Sequence, residues 1–250
     1  MLAYKEFGSG QPLVILHGFL GSSDNWRTIA KQLASDFHVF ALDARNHGQS
    51  FHNNDISYSA MAQDLASFMT THNIKNPILV GHSMGGKTVM QYATQTDAAI
   101  KALIVLDIAP VSYANHHGHI LKSLNQLSLT TNTTLPDLDR ALADRISEPP
   151  MRQFLLKNID RSKKPFCWKI NLAALTQNYP AIMEAPIFSK KITTKTCFIK
   201  AENSGYILPD HESIIHTHFT HYDIITLSGV GHWLHAEKPT DVIKLIKEYS

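Results

Sequence analysis

Only two of the 250 residues are cysteine, Cys167 and Cys197, each in an apolar setting (PFCW and TCFI). That excludes a disulfide-stapled scaffold and fits buried thiols in a reducing compartment. Long apolar runs are missing, so no segment is expected to span a membrane. The opening "MLAYKEFGSGQP" lacks a basic stretch followed by an apolar one and is not read as a signal peptide. Basic blocks are missing beyond Lys163-Lys164 and Lys190-Lys191, and the net charge is +2. Neither nucleic acid nor a membrane surface is therefore expected as a partner. Repeats and low-complexity tracts are absent as well. The length suits one domain with room for an insertion, able to bury a core without metal or disulfide. A cytoplasmic location is the expectation.

What the chain does have is a rhythm. Short apolar or β-branched runs recur at 13–16, 37–42, 78–80, 102–106, 197–199 and 222–227, most of them continuous. Continuous apolar strands are covered on both faces, as in a parallel sheet. Amphipathic helical patterns lie between them at 24–33, 59–69, 85–92 and 239–249. The alternation predicts an α/β fold with helices on both faces of a mostly parallel sheet. Residues 2–7 read as an antiparallel edge strand. The rhythm breaks between Pro110 and Pro186, where polar and short helical patterns replace strands. A connection that long is no ordinary loop. It is expected to be a helical cap, residues 110–186, inserted after the sixth strand, with 1–109 and 187–250 as the core. Such a cap would cover the sheet edge at which open α/β sheets bind ligands.

The stretch "ILVGHSMGGKTVM" places one serine where a strand hands over to a helix. Gly81-x-Ser83-x-Gly85 fits a nucleophile elbow, whose sharp turn tolerates only small residues at the glycine positions. The helix that follows aims its N-terminal N–H groups at developing negative charge. "VILHGFLGSSDNW" supplies the second half of an oxyanion hole. The N–H of Phe19 can point into the site beside that of Met84, the residue after the nucleophile. His17 is read as a structural turn histidine, because the donor there is backbone and not imidazole.

Fifteen histidines compete for the role of base. His232, in the Gly-flanked loop of "LSGVGHWLHAEKP" after the last strand, has the placement and the chain order. His235 heads into the next helix and is the poorer choice. His47 and His82 read as structural or pocket-lining. The clusters at 115–119 and 216–221 lack the spacing of zinc ligands and have no cysteine nearby, so no metal is assigned to them.

In this order "LHGFLGSSDNW", "ALDARNHGQS", "VGHSMGG" and "GVGHWLHAEKP" resemble the α/β-hydrolase superfamily. Within it they are most similar to the bacterial YbfF-type esterases and their eukaryotic relatives. The likeness runs over nearly the whole chain and is weakest in the cap. It implies the α/β-hydrolase fold, no cofactor, and a small-molecule acyl ester or acyl-CoA thioester as substrate. The chain itself is expected to be a monomer or weak homodimer.

One departure stands out. Most members carry the acid after the seventh strand, where this chain reads "CFIKAENSGYILP" and has Ser204 at the expected aspartate position. A serine cannot stabilise an imidazolium by charge. Asp107, ending the strand in "ALIVLDIAPVSY", is the expected acid, with Glu202 as the alternative. By resemblance Ser204 and Trp233 lie near Asp107 and shape the pocket, and with His82 they are the expected substrate-binding residues. Apolar cap residues (Leu121, Leu124, Phe154, Leu155, Trp168) are candidates for an acyl pocket, or else plain core. The expected activity is that of a serine esterase or thioesterase working through an acyl-enzyme. C–C bond hydrolysis, elimination or perhydrolysis would use the same residues. An inactive binding module of the same fold is disfavoured by the intact Ser83, His232 and hole-forming segments.

Overall fold

The computed structural model describes residues 1–115 and 117–250. Among them the strands are β1 (Tyr4–Phe7), β2 (Gln11–Leu16), β3 (Phe37–Leu42), β4 (Ile78–His82), β5 (Ala102–Leu106), β6 (Ile159–Asp160), β7 (Cys167–Trp168), β8 (Thr196–Ala201) and β9 (Tyr222–Leu227). Seven of them form one sheet in the order β1-β3-β2-β4-β5-β8-β9. β1 pairs antiparallel with β3, and the remaining pairings of that sheet are parallel. The helices of the sheet layers are α1 (Arg27–Leu33), α2 (Tyr58–Thr71) and α3 (Met84–Gln95). Between β5 and β8 come α4 (Gly118–Asn125), α5 (Leu135–Ala143), α6 (Pro149–Leu156), α7 (Leu172–Gln177) and α8 (Tyr179–Met183). The chain closes with α9 (His211–His218), α10 (Leu234–Glu237) and α11 (Pro239–Tyr249).

The central strands β4 and β5 are buried at every residue, which is why they read as unbroken apolar runs. Successive side chains point to opposite faces of a strand. Accordingly Val14, Leu16, Leu79, Leu103 and Val105 join one apolar cluster with Leu65 and Phe68 of α2 and Val89 of α3. Leu13, Ile15, Ile78, Val80 and Ile104 join another with Ile29 and Leu33 of α1 and Val242 and Ile246 of α11. Helices therefore cover both faces, as the alternation predicts.

Between β5 and β8 the sequence expectation needs one correction. The helical segment leaves the sheet after the fifth strand of the chain, not the sixth, because a single strand, β1, precedes the first parallel one. The small antiparallel pair β6–β7 inside that segment had no pattern long enough to announce it. Leu121, Leu124, Leu138, Leu155 and Leu175 of the segment form a third apolar cluster, which reaches Leu20, Tyr58 and Met84 of the sheet layers. Polar bonds fasten it further. Asn158 Nδ2 donates to the carbonyl of Leu20 (2.9 Å), Tyr58 Oη to that of Ile182 (2.6 Å), and Lys87 Nζ to those of Met183 (3.1 Å) and Glu184 (2.6 Å). Lys87 is almost wholly buried, and burial pushes its ammonium down to about 7.

Among the described residues no helix is long and apolar enough to cross a membrane. Both cysteines are free, Cys197 in the core and Cys167 half-buried. No group of three His, Cys, Asp or Glu among those residues is arranged to hold a metal. His116, in the 115–119 cluster, lies outside the described residues. Residues 216–218 of the other histidine-rich stretch form the end of α9, a helix the expectation omitted.

The packing of α3 on β2 makes a sharp demand of Gly85. A Cβ there would lie 2.3 Å from the Leu16 carbonyl oxygen and 2.7 Å from that of His17, backbone that cannot swing aside. Gly85→Ala is expected to lower stability by about 1–3 kcal/mol, the usual range for overpacking, read as a lower urea midpoint. An unchanged midpoint would contradict this packing.

Candidate active site

The turn between β4 and α3 holds Ser83 at φ 51°, ψ −116°, a backbone conformation that costs a non-glycine residue about 1–3 kcal/mol. Two bonds hold it there. The Ser83 N–H donates to the Leu106 carbonyl (3.0 Å), and the Ser83 carbonyl accepts from the Lys87 N–H (3.1 Å). Glycine is required at 81 because a Cβ would lie 2.4 Å from the Gly85 carbonyl oxygen.

Asp107 also has positive φ, 47°, directly after β5. It has no solvent exposure, and a buried carboxylate must be met by donors. Its Oδ1 accepts from the Ala201 N–H (2.9 Å). Its Oδ2 accepts from Ser204 Oγ (2.5 Å) and pairs with His232 Nδ1 (2.8 Å). With Nδ1–H donating to a carboxylate, Nε2 is left as the basic nitrogen of His232. The Tyr206 ring stacks on the imidazole at 4.0 Å, and His82 Nε2–H donates to the His232 carbonyl (2.9 Å). Ser83 and His232 line one cavity of about 510 Å³. No hydrogen bond joins them among the described residues, a separation common in unliganded sites that tightens when substrate binds. The alternative acid is elsewhere. Glu202 Oε2 accepts from the Gly229 N–H (2.6 Å), which ties that carboxylate to the turn after β9.

Gly18 abuts Ser83: a Cβ there would lie 3.3 Å from Ser83 Cβ and 2.7 Å from His82 Nδ1. The next residue is Phe19. Among the described residues neither the Phe19 nor the Met84 N–H has a hydrogen-bond acceptor, so both are available to a negative oxygen. The loop is braced from behind by two histidines. His17 Nε2 accepts from the Ala44 N–H (3.0 Å), and its Nδ1–H donates to the Gly18 carbonyl (2.8 Å). His47 Nε2 accepts from the Leu20 N–H (3.2 Å), and its Nδ1–H donates to the Arg45 carbonyl (2.9 Å). Each ring must be neutral to accept at Nε2. Burial lowers the pKa of His17, and burial with His17 alongside lowers His47 to about 3.

The other expected residues divide. Trp233 and His82 line the 510 Å³ cavity, and the Trp233 ring lies 5.2 Å from that of Phe154. Ser204 is on the wall of neither cavity described here. Its hydroxyl is engaged by Asp107, and it accepts in turn from the Tyr206 N–H (3.2 Å), so direct substrate contact is withdrawn for it. Of the apolar candidates Phe154 and Leu155 line the cavity, whereas Leu121 and Leu124 are buried in the segment's own core. Sequence reasoning missed Gly18, whose only signal is its place before Phe19, and Tyr206, whose stacking on His232 no local pattern announces.

Four buried histidines beside the site are depressed: His17, His47, His82 (well below the usual range, through burial and then His235 and His232) and His235 (to about 3, through burial and then His232). The unfolded chain binds protons to them near pH 6.5. The folded chain does not, so their contribution to stability is complete above that pH and is lost on acidification, for His47 and His235 as pH falls toward about 3. The urea midpoint is expected to fall steadily from pH 6.5 to pH 4, and His47→Gln to flatten the slope. A midpoint that rises on acidification, or an unaltered slope in His47→Gln, would contradict the neutral assignment.

Known proteins resemble this chain over nearly its whole length. Residues 11–195 match the family described as the alpha/beta hydrolase fold. The sn-1-specific diacylglycerol lipase ABHD11 of Mus musculus is 34% identical over 95% of this chain and 80% of its own length. Esterase YbfF of Escherichia coli is 32% identical over 96% of this chain and 93% of its own. A solved structure described as a marine microorganism esterase superposes with a TM-score of 0.96 at 37% identity, covering 100% of this chain and 99% of that one. A strained serine between β4 and α3, two unbonded N–H groups beside it and this extent of likeness lead to one assignment: the chain belongs to the alpha/beta hydrolase family.

Proposed function

We propose that the chain is a serine hydrolase of carboxylic esters that works through an acyl-enzyme on Ser83. The observation that carries this reading is the pairing of His232 Nδ1 with the buried Asp107 carboxylate, on a ring that shares a cavity with Ser83. His232 Nε2 takes the hydroxyl proton as Ser83 Oγ attacks the carbonyl carbon. Asp107 stabilises the resulting imidazolium and holds its tautomer. The N–H groups of Phe19 and Met84 donate to the oxyanion. Collapse breaks the bond to the leaving oxygen, which receives the proton from His232. Water, deprotonated by the same nitrogen, then attacks the acyl carbon; the bond to Ser83 Oγ breaks, the acid leaves, and His232 returns the proton to Oγ. No step calls for a cofactor.

Relatives named esterase and lipase support an ester as the substrate. Thioesters, acyl-CoA among them, follow the same steps with sulfur as the leaving atom. The reading makes residues 110–186 a cap over the site and residues 1–109 with 187–250 the catalytic core. It sets the enzyme in the cytoplasm, which two free thiols support.

Two measurements test it. A fluorophosphonate probe is expected to label the wild type and to leave Ser83→Ala unmodified. Asp107→Asn is expected to lower kcat by about 10³–10⁴-fold and Glu202→Gln by less than about twofold, as for an acid that does and one that does not orient the base. Near-normal turnover in Asp107→Asn with collapse in Glu202→Gln would refute the acid assignment.

A further inference from the structure

Ser83 stands on the partition between two cavities of very different size. The larger, about 510 Å³, is lined by His232, Trp233 and Phe154 among others. The smaller, about 20 Å³, is lined among the described residues by Met84, Ile108, Ile182 and Met183, with Tyr58 and Lys87 at its side. His232 lines the first and not the second.

The carbonyl of an ester on Ser83 has two substituents, and proton transfer tells them apart. The leaving atom takes its proton from His232, so the group it carries extends into the cavity that His232 lines. The acyl tail is left with the other side. We propose that the small cavity is the acyl site and restricts the substrate to acetyl or propionyl esters, while the large cavity receives a bulky alcohol or thiol. This rests on the esterase reading above and adds which half of the ester is small.

The chemistry of the small cavity agrees. Its polar side chains already have partners: Lys87 Nζ donates to the carbonyls of Met183 and Glu184, Tyr58 Oη to that of Ile182 (2.6 Å), and Tyr113 Oη to that of Tyr206 (2.5 Å). Phe19, Met84, Ile108, Ile182 and Met183 supply the apolar wall, and His117, Tyr206 and Ser83 itself complete it. A space of this volume holds about one water-sized body. A methyl or ethyl group is the acyl tail of that size. A longer chain has to displace Ile108, Ile182 or Met183, all buried.

The test is an acyl-length series of p-nitrophenyl esters on the purified chain, read as kcat/KM, with fluorophosphonate labelling of Ser83 run alongside. The expected profile peaks at acetate or propionate and falls by about tenfold for each methylene beyond the cavity. Bulky acetates such as 2-naphthyl acetate should remain good substrates. Met183→Ala and Ile182→Ala are expected to move the peak to butyrate or hexanoate. The wild-type profile decides alone if either variant fails to fold. Octanoate turned over as fast as acetate, or a peak unmoved in both folded variants, would overturn the acyl-site assignment while leaving the esterase reading intact. Absence of both labelling and ester turnover would overturn the two together.

Discussion

A carboxylate without solvent contact has to be surrounded by hydrogen-bond donors, and much of this site can be read as the consequence of meeting that demand at Asp107. Its three donors come from two segments far from it in sequence: the N–H of Ala201 at the end of β8 with the hydroxyl of Ser204 three residues on, and the imidazole of His232 after β9. Meeting them fixes the ends of both strands. The register of the sheet does the rest. His82 of β4 pairs with Leu106 of β5, so the next residue of each strand, Ser83 and Asp107, leaves the sheet at the same level on neighbouring strands. Both take positive φ there. In the proposed triad the acid stands one strand inward from its usual place and still reaches His232, because β8 lies directly beside β5.

The histidine content divides along the same lines. His17 and His47 accept backbone N–H bonds and hold the loop that carries Phe19, and His82 ties the residue before the nucleophile to the backbone of His232. All three are buried and neutral, held by geometry that a protonated ring could not adopt in the first two. Among the described histidines lining the cavity, only His232, half-buried and paired through Nδ1 to a carboxylate, combines an available Nε2 with a partner that can stabilise its charged form. In the proposed reaction that difference of surroundings separates the base from its scaffolding.

The sheet was legible because strands buried on both faces leave unbroken apolar runs, and α11 was legible to the residue because Pro239 opens it and its apolar stripe runs to the end. The elbow was legible because backbone crowding at 81 and 85 leaves a glycine signature. The proposed acid was legible through two signals together, Ser204 in the customary aspartate position and the resemblance to esterases that carry their acid at the end of the preceding strand. What sequence could not show is what depends on long-range contact. Ser204 serves the Asp107 carboxylate and not the cavity, and Tyr206 stacks on His232, because the chain turns back between β8 and α9. The helical segment was the least legible. Its short helices pack mainly on one another, and its two two-residue strands are below the length at which alternation is visible.

The central claim is that the Nδ1 proton of His232 is held by Asp107. Proton NMR of the chain labelled with ¹⁵N-histidine observes that proton directly, as a resonance shifted far downfield by the carboxylate. The account predicts the resonance in the wild type and in Glu202→Gln, and its loss or large upfield movement in Asp107→Asn. A resonance unchanged in Asp107→Asn and abolished in Glu202→Gln would contradict it.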